Sequence, residues 1–385
     1  MKRSIVRFSA VVAVLLVSQV IKAQSSTTPI NVVTTAVPFL RISPDARAGG
    51  MGDIGVATSP DANSSFYNLA KIPFAQHPIG IGLTYTPWLK DLGLNDVYLL
   101  AASGFYKLDD QQAISTSIRY FSLGNIQFTD FSGNPLGQGQ PREFGIDGGY
   151  TRKLSDKLSV GLAIRYIHSN LAGGYASNGN TYKAGNSVAG DLTFFYTTAK
   201  DNGEGWNFGA TLTNLGSKIG YTNDATQKDY IPANLSLGAA YTKQFDEQNK
   251  ITFGLDLHKL LVPVPPTPDP NNNTSIDSAN LVAYRDKSIV GSWFSSFSGG
   301  DQLSLISAGL GAEYGYNDQF FFRLGYFYED KNRGNRKYFT VGVGVKYNVM
   351  QLNFSYLVPS GNGVTRNPLS NTIRFGLSFD LDESK

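Results

Sequence analysis

The chain has 385 residues, with 41 glycines, 24 phenylalanines, 21 tyrosines and no cysteine, and 33 basic against 30 acidic residues. The lack of cysteine excludes a disulfide framework and thiolate metal sites. The near balance of charge excludes the basic face that a nucleic-acid partner needs.

Lys2, Arg3 and Arg7 precede an apolar run from Phe8 to Val20 and a small residue at Ala23, the pattern of a secretory signal peptide over 1–23. That run is too short to cross a bilayer as a helix. Cleavage after Ala23 removes four basic residues, leaving 29 basic against 30 acidic ones in an exported, near-neutral chain without a cysteine for lipidation.

The next segment, 24–78, has little periodicity and many small residues. It contains Gly50-x-Gly52-x-x-Gly55, the spacing of a dinucleotide-binding turn. Such a turn needs a buried strand before it and a helix after it. Here Pro44 and charged residues precede it and Ser59-Pro60-Asp61 follows, so the glycines are read as allowing close backbone packing. No cofactor is expected.

From 79 to 381 apolar and polar residues alternate with period two, as in Ile373, Phe375, Leu377, Phe379 and Leu381 against Arg374, Gly376, Ser378 and Asp380. The pattern recurs at 79–86, 97–107, 112–122, 142–154, 157–169, 187–197, 205–214, 233–243, 249–258, 304–315, 319–328, 338–348, 350–357 and 371–381. No exported segment has the ~20 unbroken apolar residues of a transmembrane helix, and in lipid the remaining option is a closed barrel. Long and short connections alternate along the chain, least clearly at 200–205 and 330–336. These features predict an all-β fold: a transmembrane antiparallel β-barrel of about fourteen strands with an aromatic girdle that includes Tyr85, Tyr120, Tyr166, Tyr241 and Tyr347. An even strand number places both chain ends on the periplasmic, short-turn side, so 24–78 is expected to enter the barrel from there as a plug. A soluble β-sandwich or propeller is the structural competitor.

Two outer loops stand out. The first carries Trp88, Leu89 and Leu92. The longest, 259–303, begins with a stiff proline run through Leu261, Pro263, Pro265 and Pro266. Ala279, Val282, Ala283, Ile289, Val290, Trp293, Phe294 and Phe297 then repeat at helical spacing, which predicts one amphipathic helix capped by Ser275 or Asp277. Leu261, Pro263, Pro265, Pro266, Ile289, Trp293, Phe294 and Phe297 are therefore, with Trp88, Leu89 and Leu92, the candidate partner-binding residues. The three histidines, His77, His168 and His258, lie in separate regions, and no metal-ligand spacing is present. His168, on the apolar face near the outer rim, is the one catalytic candidate, and it lacks a serine two residues on.

The stretch Phe39 to Asp53, with Phe66-Tyr67-Asn68-Leu69-Ala70, resembles the plug region of FadL-type outer-membrane barrels and marks Phe39, Arg41, Asp45, Arg47, Gly50, Gly52 and Asp53 as plug residues. Leu257 to Pro263, Ser288 to Phe294, and Asn335 to Thr340 through Asn348 resemble, more narrowly, the PorV family of the Bacteroidota type IX secretion system. This resemblance implies an outer-membrane barrel without enzymatic activity. Its implied partners are the type IX translocon barrel, the C-terminal signal domains of secreted cargo, the surface attachment complex and outer-membrane lipid. Alternatives are a FadL-like channel for hydrophobic small molecules and, through the family's link to lipid A deacylation, a lipid hydrolase.

Overall fold

The computed structural model describes residues 32–129, 132–172, 176–177, 180–224, 227–267, 269, 274–298, 301–358 and 371–382; the expected signal peptide lies outside them. Fourteen antiparallel strands among these residues form a closed barrel. They are β1 Ile79–Pro87, β2 Val97–Lys107, β3 Gln112–Leu123, β4 Arg142–Lys153, β5 Leu158–Asn170, β6 Gly185–Thr197 and β7 Gly205–Gly216. The second half comprises β8 Asn234–Gln244, β9 Asn249–Leu260, β10 Ile306–Tyr316, β11 Phe320–Tyr328, β12 Lys337–Tyr347, β13 Met350–Val358 and β14 Ile373–Leu381. Each strand pairs with the next in sequence, and β1 closes on β14 from Ile79↔Leu381 to Tyr85↔Phe375.

Closure leaves no strand edge, and the period-two pattern then sorts side chains to two faces. Ile81, Leu83, Leu162, Ile164, Val188, Phe253, Leu255, Phe322, Leu324, Val341 and Val343 point outward and are exposed. Their neighbours Thr84, Arg165, Asp191, Thr193, Asp256, Arg323 and Thr340 point inward and are buried. An apolar outside around a polar inside is the arrangement of a lipid-embedded barrel, the reverse of a soluble sandwich.

Connections 108–111, 154–157, 198–204, 245–248, 317–319 and 348–349 make one rim, and the described parts of 88–96, 124–141, 171–184, 217–233, 261–305 and 329–336, with 371–372, the other. The tight rim is built with residues that tolerate a left-handed backbone: Asn317 and Asp318 turn β10 into β11 with φ of 56° and 52°, and Asn348 turns β12 into β13 with φ of 51°.

Residues 32–78 run inside this wall, and the expected periplasmic start of the segment lies outside the described residues. Val33 packs with Tyr230 and Val262, and Val37, Phe39 and Leu40 with Trp88, Leu99, Phe121 and Ile167, all near the long-loop rim. A five-residue helix, α1 Ala46–Gly50, lies against β12 and β13. Leu69 and Ile72 then cluster with Phe105 and Ala113 toward the short-turn rim, where β1 begins. The described part thus descends from the long-loop rim. There Val37, Phe39 and Leu40 pack on the inward apolar side chains Leu99, Phe121 and Ile167.

The glycine-rich turn lies against wall positions that have no side chain. A Cβ on Gly342 would stand 3.0 Å from the Gly50 Cα, and one on Gly325 would overlap the Gly52 nitrogen. Gly52 itself takes φ of +70°, which favours glycine. Gly325→Val is expected to destabilise the barrel by about 1–3 kcal/mol through overpacking, lowering the temperature at which it loses its compact electrophoretic mobility. Gly148, with nothing within 4 Å of an added Cβ, is the control. Equal melting of G325V and G148V would refute the close approach.

Candidate functional site

The stretch from Asp45 to Val56 is held almost residue by residue. Asp45 caps α1, accepting from the Arg47 and Ala48 amides at 3.1 and 3.0 Å and from Asn63 Nδ2 at 3.0 Å. Arg47 grips Glu313 of β10 with two nitrogens, Nε at 3.0 Å and Nη2 at 2.8 Å, and reaches Asp61 at 2.8 Å. Arg323 of β11 donates to the same Glu313 at 2.6 Å. The Gly52 amide donates to Thr340 Oγ1 at 2.9 Å. Asp53 takes Arg374 of β14 at 2.9 Å and the Tyr338 hydroxyl at 2.6 Å. Asp256 of β9 accepts both the Gly55 and Val56 amides, at 2.7 and 2.8 Å.

The facing wall also engages the segment, chiefly through its backbone. Arg119 of β3 donates to the carbonyls of Leu40 and Phe66 at 2.8 and 3.0 Å and lies over the Phe66 ring. Ser103 of β2 donates to the Ala62 carbonyl at 2.8 Å. Within the segment, Lys71 Nζ donates to the Gly55 carbonyl at 2.8 Å and to Thr58 Oγ1 at 3.2 Å. Burial brings its pKa down to about 8.

At the long-loop rim the expected contact residues divide. Trp88 is buried, edge-on to Phe121 with ring centroids 6.5 Å apart, and Leu89 packs on the same cluster. Leu261 and Pro263 are buried too, while Pro265, Pro266, Ile289 and Trp293 are half-buried. Leu92, Phe294 and Phe297 are exposed, Phe294 by 73%. Trp88, Leu261 and Pro263 therefore pack the rim itself and present no free surface.

The arm also differs from the single helix expected. Two helices form, α2 Thr274–Asp286 and α3 Ile289–Ser295, and Ser288 caps the second by accepting from the Gly291 amide at 3.1 Å. Asp277 accepts from the Asp269 amide at 2.7 Å, tying the helix to the proline run. The apolar periodicity passes through Lys287-Ser288 without a visible stop, because the capping serine interrupts the backbone and not the pattern.

Between residues 40–44 and strands β7 to β11 lies a partly enclosed cavity of about 160 Å³. It is lined by Arg41, Arg119, His258, Glu329, Arg336 and Tyr338, with apolar walls from Leu40, Ile42, Phe66, Leu260 and Phe327. His258 Nδ1 and the Ser236 hydroxyl share a hydrogen bond of 2.9 Å across the β8–β9 ladder, and Ser236 accepts from Asn234 Nδ2 at 2.7 Å. The sequence separation of these residues hides the grouping. His168 lies elsewhere, stacked on Phe144 at 4.9 Å and bonded to Asn186 at 2.8 Å. Among the described residues no three His, Asp or Glu side chains are placed to hold a metal.

Residues 24–267 match the family described as type IX secretion system protein PorV. The chain belongs to that family. In solved structures, the Ralstonia pickettii toluene transporter TbuX shares 13% identity over 87% of this chain and 97% of its own, with a TM-score of 0.52. The monoaromatic hydrocarbon channel CymD shares 12% over 88% and 98%, with a TM-score of 0.51. At such identity these likenesses establish the FadL-type barrel fold. Comparison with curated proteins by sequence finds no match. For this PorV-family chain the fold is thus an outer-membrane barrel whose interior is occupied by its own N-terminal residues.

Two tests follow from the anchors. Asp53→Ala leaves the buried Arg374 without its carboxylate and is expected to cost about 3–5 kcal/mol, read as protease cutting within 45–65 of an otherwise inserted barrel. Retained resistance would show that Asp53 does not hold the segment. The lowered Lys71 pKa means that its burial penalty is full below pH 8 and fades as pH rises toward its ordinary 10.5. The melting temperature of wild type relative to Lys71→Met should accordingly rise between pH 8 and 10; a pH-independent difference would contradict the assignment.

Proposed function

We propose that this barrel is the carrier of the type IX route: it associates with the translocon, binds the C-terminal signal domain of cargo at its long-loop rim, and passes cargo to the surface attachment complex. Family membership supports the route, and the exposed arm supports the binding role. The observation that carries the reading is the apolar surface of 274–305. Val282, Val290, Phe294, Phe297 and Leu303 are all exposed on a loop outside the strands, Leu303 by 80%. Apolar patches of this kind on a water-facing segment mark protein contact.

In this reading the long-loop rim faces outward, the short-turn rim and C-terminus face the periplasm, and residues 32–78 act as a plug. The ion pairs of Arg47 and Asp53 and the two backbone amides bound by Asp256 hold that plug to the wall, which supports a carrier with a closed lumen over a conducting channel. The second reading is a channel for hydrophobic small molecules, favoured by the rim cavity and the fold of TbuX and CymD. Deleting 263–297 separates the two. The carrier reading expects an inserted, heat-modifiable barrel that no longer displays cargo on the cell surface; unchanged display would sink it, and loss of hydrocarbon uptake with intact secretion would install the channel reading instead.

A further inference from the structure

The rim cavity has a charge imbalance that its own residues do not resolve. Arg41 and Arg336 share one carboxylate, Glu329: Arg336 Nε and Nη2 each lie 2.8 Å from it, and Arg41 Nη2 lies 3.2 Å away. Asp53, the other acid lining the cavity, is engaged by Arg374 and Tyr338. Arg119 is 5% exposed, its two terminal nitrogens donate to uncharged carbonyls, and its Nε has no hydrogen-bond partner. Burial and the adjacent Arg336 bring the Arg41 pKa down to about 10, the sign of a cation short of neutralisation.

Guanidinium groups in such a deficit, buried at Arg119 and half-buried at Arg41 and Arg336, favour an anion that can take two parallel N–H bonds, as a carboxylate does. The volume, about 160 Å³, is well above the ~10–15 Å³ that one water needs. The walls contributed by Leu40, Ile42, Leu260 and Phe327 suit an apolar group beside the charge. The cavity is bounded by Val33, Val262 and Leu305, on the same rim as the exposed arm, so a chain bound there has its end within reach.

We propose that this cavity receives the free C-terminal carboxylate of the bound cargo, with Arg41, Arg119 and Arg336 as its donors and the last side chain against the apolar wall. This inference rests on the carrier reading and assigns that site its recognition element. The carboxylate is what distinguishes a chain end from an internal loop, so the cavity reads that the signal domain is terminal.

The test uses the full-length barrel in detergent and a cargo signal domain in two forms, ending in the free acid or in a C-terminal amide made by ligation. The acid form is expected to bind about ten- to a hundredfold tighter, the value of one charge-assisted contact set. Arg336→Gln should remove most of that preference, leaving the amide's affinity unchanged. Arg41→Gln, at a half-buried position outside the strands, should reduce it separately, with heat-modifiable mobility confirming that each variant is folded. Equal binding of acid and amide to wild type overturns the cavity assignment and leaves the carrier reading standing. Failure of both forms to bind overturns the carrier reading and this inference with it. Decanoate, tested alone, distinguishes the other source of a carboxylate: Arg336-dependent decanoate binding without any acid preference for the domain would make the cavity a small-molecule site and overturn the proposal.

Discussion

In hydrocarbon every backbone N–H and C=O must find its partner within the chain. The pairing of β1 with β14 meets that demand by removing the last two open edges. Once the wall is closed and its outer face is apolar, period-two geometry forces the alternate residues inward, and many of these are charged. Arg165 with Asp147 and Asp191, and Arg323 with Glu313, neutralise one another across neighbouring strands. The inward acid Asp256 and base Arg374 meet groups of the inner segment instead.

The inner segment therefore completes the barrel electrostatically. Arg47 balances Glu313 jointly with Arg323, Asp53 answers Arg374, and two backbone amides answer Asp256. These partners lie 200 to 321 residues apart in sequence, so the segment and the late strands specify each other. Such contacts are costly to break one at a time, because each leaves a buried charge behind. That property suits a fixed plug and not a gate.

The wall was legible from alternation alone. All fourteen strands fall where the period-two pattern places them, and the short turns at Asn317-Asp318 and Asn348 follow from residue type. The glycine-rich stretch was legible in the negative, since its flanks could not build a nucleotide turn, and the structure gives the positive reason in Gly325 and Gly342. What could not be read was anything set across the lumen. Parity says that Arg119 and His258 share an interior; it does not say that they face one cavity, and it is silent on Arg336, which lies in a loop. The course of residues 32–78 was out of reach for the same reason: strand parity constrains where β1 begins and is silent on a segment without periodicity. Trp88 reads in the sequence as a partner-contact residue of an outer loop, yet it turns into the rim against Phe121.

That rim divides apolar side chains into two populations, and the division bears on function. Trp88 and Val262 are packed into the rim, where Trp88 joins Val37 and Phe39 and Val262 joins Val33 from the inner segment, and Leu261 is buried beside them. Phe294 remains exposed on the helix that Ser288 caps, and Phe297 and Leu303 remain exposed beyond its end. A folded loop that has satisfied its caps and still displays aromatic surface is not short of packing partners by accident of sequence. Its exposed face is presented by an ordered scaffold, on the side of the barrel where the cationic cavity also lies. The two features together describe a surface with an apolar shelf beside a charged socket, the surface on which the proposed carrier reading rests.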